Sequence, residues 1–204
     1  MNDPIVLLGL QTTLFEVLAF ILSVATVALN IRQNHWAWLF AIVSSAAYGV
    51  VFFNTRLYGD AGLQLVFIVV SVWGWYSWLH GDADAKGTKS LAVSRLDGRG
   101  WALALAGWAA GYLLLAWFLG HYTNTDVPHT DGFLTAGSLV GQVLLSRKKL
   151  ENWHAWIAVD IIYVGLYLYK GLHLTALLYA LFVVMAVLGL WAWRRDLRGE
   201  TGAA

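Results

Sequence analysis

Residues 153–193, WHAWIAVDIIYVGLYLYKGLHLTALLYALFVVMAVLGLWAW, decide the fold, because residues 38–78, WLFAIVSSAAYGVVFFNTRLYGDAGLQLVFIVVSVWGWYSW, are a second version of them. With a shift of 115 positions and no gap, eleven of the 41 aligned pairs are identical. The identical pairs include Trp38/Trp153, Tyr48/Tyr163, Gly74/Gly189 and Trp78/Trp193. Chance agreement between segments of this composition is about 10 %. The pattern therefore indicates an internal duplication.

The composition is that of a protein dissolved in lipid. Of the 204 residues, 59 % are hydrophobic and 12 % are charged, whereas soluble domains have about 45–50 % apolar and about 25 % charged residues. The absence of Cys excludes disulfides, Cys–metal sites and thiol catalysis. With a net charge of +1 and no basic run rich in aromatics, nothing favours nucleic acid as a partner.

Seven stretches approach the length of about 17–25 apolar residues that a membrane-spanning helix needs. They are Ile5–Ile31, Trp36–Phe53, Ala61–Leu79, Trp101–Leu119, Gly132–Ser146, Trp153–Tyr169 and Leu174–Trp193. We therefore expect an all-α membrane protein. Its units are residues 1–79 as a first three-helix bundle, 80–120 as a cytoplasmic linker plus linker helix 4, and 121–204 as a second three-helix bundle with a cytoplasmic tail.

The distribution of Lys and Arg predicts the orientation. One set of loops holds only Arg56 and Lys170, and the opposite set holds the other eleven cations. The N-terminus is therefore expected outside and the C-terminus in the cytoplasm. Because helix 4 separates two copies of three helices, the copies have the same orientation and form a 3+1+3 parallel repeat. Parallel repeats occur in secondary transporters, with the substrate between them; a duplicated bundle without a pore is the alternative.

Helix 6 carries the clearest group of candidate ligand contacts. Trp153, Trp156, Asp160, Tyr163 and Tyr167 are spaced 3, 4, 3 and 4 residues apart and so share one helix face. A carboxylate at the middle of a membrane span costs at least about 2.5–3.5 kcal/mol, so Asp160 must face protein or water. Asp160 either forms a structural hydrogen bond between helices or contacts a substrate cation or sugar hydroxyl. The absence of a Lys or Arg in mid-span favours the substrate.

Other polar residues within the spans extend this candidate site. Ser45 takes the place of Asp160 in the first copy, so the two half-sites differ. Ser138 and Gln142 share a face of helix 5, and Gln64 lies on helix 3. Each of these Gln side chains either forms an interhelical hydrogen bond or contacts a ligand amide.

Metal and catalytic sites are disfavoured by the residue pattern. All six His lie in loops or at helix ends, and no pair of them has metal-ligand spacing with a carboxylate on the same helical face. Ser44 and Ser45 lack a glycine-rich nucleophile turn, and no His lies in mid-span as a base. An intramembrane enzyme is therefore not expected, and neither is a cofactor.

Two motifs together resemble the PnuC-type nicotinamide riboside transporters of the Pnu vitamin transporter family. The motifs are Asn152-Trp153 with Trp156, Asp160 and Tyr163, and Leu57-Tyr58-Gly59-Asp60 followed by Gln64 and a Gly74-Trp75-Tyr76-x-Trp78 helix end. The resemblance runs from Leu14 to Trp193.

The resemblance implies two three-helix bundles and a linker helix, as in SWEET sugar transporters, assembled as a homotrimer in the bacterial inner (cytoplasmic) membrane. It implies facilitated diffusion of nicotinamide riboside without a coupling ion, with the product trapped by a cytoplasmic riboside kinase. The ligand contacts it implies are Gln64, Gln142, Asn152, Trp153, Trp156, Asp160 and Tyr163. Relatives take thiamine or riboflavin, so another vitamin, a sugar, or a receptor that binds without transport remain alternatives.

Overall fold

The computed structural model describes residues 4–7, 10–54, 58–81, 91–123, 125–171 and 173–199. Within these ranges the chain forms two short strands and seven α-helices. They are β1 Pro4–Leu7, β2 Leu10–Thr13, α1 Leu14–Ile31, α2 Trp36–Asn54, α3 Tyr58–His80, α4 Gly98–Tyr122, α5 Pro128–Ser146, α6 Asn152–Tyr169 and α7 His173–Leu197. The predicted helical fold is confirmed.

The beginning of the first predicted span is wrong. The expected helix from Ile5 begins only at Leu14, and β1 and β2 pair in antiparallel orientation with Pro4 opposite Thr13. Pro lacks a backbone donor, and β-branched Ile, Val and Thr favour extended backbone over helix. The 18 residues of α1 still extend about 27 Å, close to the hydrocarbon thickness of a bilayer.

The outer surface of the helices is apolar. Segments Gly62–His80, Gly98–Tyr122 and Thr175–Leu197 are long and apolar enough to cross a membrane, and shorter apolar segments lie in α1 and α2. Large aliphatic side chains point outwards, with Leu65 exposed by 64 % and Leu103 by 74 %. Since soluble proteins rarely expose large apolar patches, this surface is suited to contact with lipid.

The helices pack as two sets of three. In one set α1 contacts α2 and α2 contacts α3; in the other α5 contacts α6 and α6 contacts α7. Between the sets, α1 contacts α7 and α3 contacts α5, while α4 packs against α5. Under the shift of 115 residues, α1 corresponds to α5 and α3 to α7, so the two contacts between the sets are equivalent to each other.

Equivalent tryptophans pack alike in both sets. The rings of Trp38 and Trp78 meet edge to face with centroids 5.4 Å apart and planes at 88°. The rings of Trp153 and Trp193 meet at 5.3 Å and 85°. All four side chains are buried. They form a tryptophan layer near one end of the bundle, which we call the basic end because Arg32 and residues 147–149 lie there.

The tryptophan layer also joins the two sets. The Trp78 indole of α3 donates a hydrogen bond to the carbonyl of Leu145 in α5, at 3.1 Å. The Trp193 indole of α7 donates to the carbonyl of Asn30 in α1, at 3.2 Å. These two bonds are related by the same shift of 115 residues. Each half therefore contributes one donor and one acceptor to the junction between the sets.

Close contacts with Trp rings explain two glycines of the repeat. A Cβ atom added to Gly74 would lie 2.5 Å from the ring of Trp38, and one added to Gly189 would lie 2.5 Å from the ring of Trp153. We expect Gly74→Ala and Gly189→Ala to lose about 1–3 kcal/mol of stability through overpacking. The measurement is the thermal unfolding midpoint in detergent. Gly165→Ala is the control, since nothing lies within 4 Å of its added Cβ, and equal midpoints for all three variants would contradict this packing.

A polar contact lies at the basic end, in the α1–α2 and α5–α6 turns. The equivalent residues Gln33 and Lys148 both have positive φ, 54° and 46°, and Lys148 Nζ donates to Gln33 Oε1 at 3.2 Å. Gln33 Nε2 in turn donates to Asp196 Oδ2 at 3.0 Å. Burial lowers the pKa of Lys148 to about 8, and the nearby Asp196 charge opposes that shift. Gln33 and Lys148, which the shift of 115 residues relates, thus contact each other directly between the two sets of helices.

Candidate functional site

Asp160 lies near the middle of α6 and is 4 % exposed. Its side chain therefore faces protein, as a carboxylate at this depth requires. None of the described residues forms a hydrogen bond or ion pair with the Asp160 carboxylate. Every Lys and Arg that the structure describes lies in a loop, a turn or close to a helix end. A buried acid that no described side chain pairs with is available to a cationic or hydroxylated ligand.

Three tyrosines cluster next to Asp160, on the side away from the basic end. The rings of Tyr163 and Tyr167 stack with centroids 5.6 Å apart. Tyr179 of α7 lies 4.6 Å from Tyr163 and 5.1 Å from Tyr167. The aromatic spacing on α6 does not predict Tyr179, which lies on α7; the signal in the sequence is its position as the counterpart of Gln64 under the shift of 115 residues. The cluster offers aromatic faces and hydroxyl groups beside the acid.

Glycines of α5 make room for the aromatic rings of α6 and α4. A Cβ atom on Gly141 would lie 3.2 Å from the Trp156 ring, and one on Gly137 would overlap the Trp108 ring and approach Val159. The close approach of α5 therefore positions Trp156 one turn from Asp160. The Trp108 indole also donates to the carbonyl of Phe133 at 3.0 Å, which ties α4 to α5.

The predicted polar contacts lie on several helices. Gln142 Nε2 lies 3.5 Å from Ser71 Oγ, so this amide sits where α5 meets α3 between the two sets. Gln64 is half-buried and packs near Gly49 of α2. Ser45 is half-buried on α2. Gln142 thus lies at the junction of the halves, whereas Gln64 and Ser45 belong to the first half.

Ser138 connects α5 to the tyrosine cluster. Its hydroxyl is buried and donates to the carbonyl of Leu134, one turn earlier, at 2.9 Å. The Tyr163 side chain lies close to Ser138. The structure therefore brings Ser138, Tyr163 and Asp160 to one region between α5, α6 and α7.

Asn152 and Trp153 lie at the basic end, about 12 Å along α6 from Asp160. Asn152 is fully buried, and its Nδ2 donates to the carbonyl of Lys149 at 2.7 Å. Trp153 belongs to the tryptophan layer. Asn152 Oδ1 and Trp153 Nε1 have no hydrogen-bond partner among the described residues. Both side chains are thus packed core residues with an unused polar atom, and their role as ligand contacts stays a prediction.

A family model described as nicotinamide mononucleotide transporter matches residues 13–195. The chain is 30 % identical over 184 residues to the riboflavin/roseoflavin transporter RibM of Streptomyces davaonensis, covering 87 % of this chain and 85 % of that protein. It is 26 % identical over 174 residues to the nicotinamide riboside transporter PnuC of Neisseria mucosa, covering 81 % of this chain and 66 % of that protein.

A solved structure shares the fold. The crystal structure of the vitamin B3 transporter PnuC matches with a TM-score of 0.69 and 24 % identity, covering 88 % of this chain and 80 % of that one. The predicted PnuC-type resemblance is confirmed, and the apolar helices are those of a multi-pass membrane protein. The chain belongs to the nicotinamide mononucleotide transporter family.

Proposed function

We propose that the protein carries nicotinamide riboside across the membrane by facilitated diffusion. The observation that supports this most directly is the buried Asp160 carboxylate, which has no partner among the described residues. Nicotinamide riboside combines a cationic aromatic ring, an amide and a ribose. Asp160 balances the ring charge or binds the ribose, the neighbouring aromatic rings stack on the pyridinium, and Gln142 pairs with the amide.

The proposed topology is a 3+1+3 parallel repeat with an axis along the membrane normal. The paired contacts α1–α7 and α3–α5, the two tryptophan pairs and the two interlocking indole bonds support it. Eleven Lys and Arg against two support a cytoplasmic basic end and an outer N-terminus. The units remain 1–79, 80–120 and 121–204; part of the linker, residues 82–90, lies outside the described residues. The membrane would be the bacterial inner membrane.

The proposed transport cycle opens the two halves alternately at either end. The buried tryptophan layer and the contact between Gln33 and Lys148 join the halves at the basic end, which supports closure of that end in this conformation. Facilitated diffusion gives net uptake only if the transported riboside is removed from the cytoplasm, which a cytoplasmic riboside kinase achieves by phosphorylation.

A homotrimer is the proposed assembly, and mass measurement of the detergent-solubilised protein tests it.

The site is expected to discriminate against the mononucleotide. A phosphate monoester would enter the cleft beside Asp160, and no Lys or Arg lies in mid-span to neutralise it. Unpaired like charges in a desolvated site cost several kcal/mol, so binding should be at least about a hundredfold weaker than for the riboside. Titration calorimetry of the purified protein with both ligands measures this ratio. Comparable affinities would show that the cleft holds a cation from another source or that the ligand avoids Asp160.

Riboflavin is the second candidate substrate, favoured by the 30 % identity to RibM. Its ring system is uncharged, so it would use the aromatic faces and hydrogen bonds rather than the Asp160 charge. Uptake of labelled nicotinamide riboside, riboflavin, thiamine and glucose into liposomes containing the protein separates these substrates. Binding without any flux would instead identify a receptor.

A further inference from the structure

A groove with a volume of about 650 Å³ runs between α4 and α5 on the outside of the second half. The two helices are closest away from the basic end, where a Cβ on Gly132 would lie 2.7 Å from Ala116 and one on Gly111 would lie 3.1 Å from Ala136. One turn nearer the basic end, an added Cβ on Gly107 meets nothing within 4 Å. The helices therefore diverge, and the groove opens towards the basic end.

The groove is apolar and opens sideways. Its lining includes Leu103, Leu139 and Val143, and Leu103 is 74 % exposed. Its α4 wall, from Gly100 to Gly111, is about 16 Å long. One leaflet contributes about 15 Å to the hydrocarbon core of a bilayer. The groove therefore matches the length of one acyl chain and is accessible from the lipid.

Three cations lie at the basic end of this groove: Arg95, Arg147 and Lys149. They are held on one scaffold, because Ser94 forms a β-bridge with Lys149 and its carbonyl accepts a hydrogen bond from the Leu150 N–H at 2.9 Å. Lys149 Nζ also donates to the Arg95 carbonyl at 3.4 Å. The segment before α4 and the α5–α6 turn thus present their charges together.

The nearby carboxylates are engaged with backbone groups. Asp97, the acid that lines the groove, accepts from the Gly100 N–H at 2.7 Å and caps α4. Glu151 is buried and accepts from the Leu96 N–H at 3.0 Å. Among the described residues, no carboxylate lies within ion-pair distance of the three cations. A basic cluster whose neighbouring acids are held by backbone N–H groups is complementary to an anionic headgroup.

We propose that this groove binds one anionic phospholipid, with its phosphate between Arg95, Arg147 and Lys149 and one acyl chain along Leu103 and Gly107. Basic pockets between transmembrane helices bind phospholipid headgroups in this way. The adjoining apolar groove selects a lipid over free phosphate, because only a lipid fills both parts. The leaflet is the cytoplasmic one if the proposed orientation holds, whereas binding itself depends on neither orientation nor substrate.

Native mass spectrometry of the detergent-solubilised protein, titrated with phosphatidylglycerol, tests the cations. Each cation contributes about fivefold to attraction of an anionic lipid, so the triple change Arg95→Gln, Arg147→Gln and Lys149→Gln should weaken binding about a hundredfold. The matched control removes three cations that do not line the groove. It consists of Arg32→Gln, Arg99→Gln and Arg194→Gln. Equal losses in both triple variants would overturn the proposal, as would equally tight binding of phosphatidylcholine to the unaltered protein.

A second variant tests the apolar part. Gly107→Leu places a side chain in open space within the groove and should abolish phosphatidylglycerol binding while all three cations remain. Nicotinamide riboside binding, measured on the same variant, should not change, which separates this site from the transport proposal. Retained lipid binding in Gly107→Leu, or displacement of the lipid by inorganic phosphate, would rule out the acyl-chain groove. A lower oligomer mass in this variant, with no lipid bound to the unaltered protein, would show that a second copy occupies the groove.

Discussion

Asp160→Asn is expected to weaken nicotinamide riboside binding by at least about thirtyfold. Removing one partner of a desolvated charge pair costs about 2–5 kcal/mol, and the lower limit corresponds to that ratio. Asn has nearly the same shape as Asp, so the loss reports the charge rather than a cavity. Titration calorimetry measures the affinity, and liposome uptake at low riboside concentration should fall in parallel.

Thermal stability separates this ligand role from a structural one. A buried carboxylate without a partner is a cost to the folded protein, so Asp160→Asn should unfold at the same or a higher temperature when no ligand is present. A structural hydrogen bond would lower that temperature. Ser45→Ala, at the counterpart of Asp160 in the first half, is the matched control and should cost far less affinity. Small and equal losses in the two variants would return Asp160 to a structural role.

The same variant discriminates between the two candidate substrates. Riboflavin carries no positive charge for Asp160 to balance, so its binding should change only slightly in Asp160→Asn. If riboflavin binds and the riboside does not, the relationship to RibM is the better guide to the substrate. A selective loss of riboside affinity supports the proposed function.

The helix positions could be predicted from the sequence. Apolar segments of sufficient length specify helices in lipid, because each helix satisfies its own backbone hydrogen bonds. The spacing of Trp38 and Trp78, repeated by Trp153 and Trp193, predicted equivalent positions, and the structure shows nearly identical ring geometry. The inward direction of Asp160 followed from the cost of exposing a carboxylate to lipid.

The local backbone conformation and the contacts between side chains of different helices could not be predicted from the sequence. Apolarity alone did not distinguish strand from helix at residues 4–7 and 10–13. The aromatic spacing on α6 grouped Trp153 with Asp160, but shared helix face does not show depth, and Trp153 packs in the tryptophan layer. Tyr179 joins the cluster only through packing of α7 on α6. These features depend on tertiary contacts rather than on the pattern of one segment.

The contact between Gln33 and Lys148 offers a direct test of transport by separation of the halves. Each residue comes from the same position in its own half, and the side chains meet with Nζ and Oε1 3.2 Å apart. In the proposed parallel repeat, residues that contact their own counterparts lie on the axis between the halves. Opening at the basic end must therefore separate this pair, whereas opening at the other end leaves it intact.

Cross-linking Gln33→Cys to Lys148→Cys with a short bifunctional thiol reagent is expected to stop nearly all uptake into liposomes. The chain has no native Cys, so the reagent joins only the introduced pair. Riboside binding should persist, because the end away from the basic end stays free to open, and a reductant-cleavable reagent should restore uptake on reduction. The matched control is Asp126→Cys with Lys170→Cys, whose native side chains lie 3.1 Å apart within the second half. Because α5, α6 and α7 move together in the proposed cycle, that cross-link should leave uptake intact; full uptake with the Gln33–Lys148 positions joined would mean that the substrate passes without separation of the two halves.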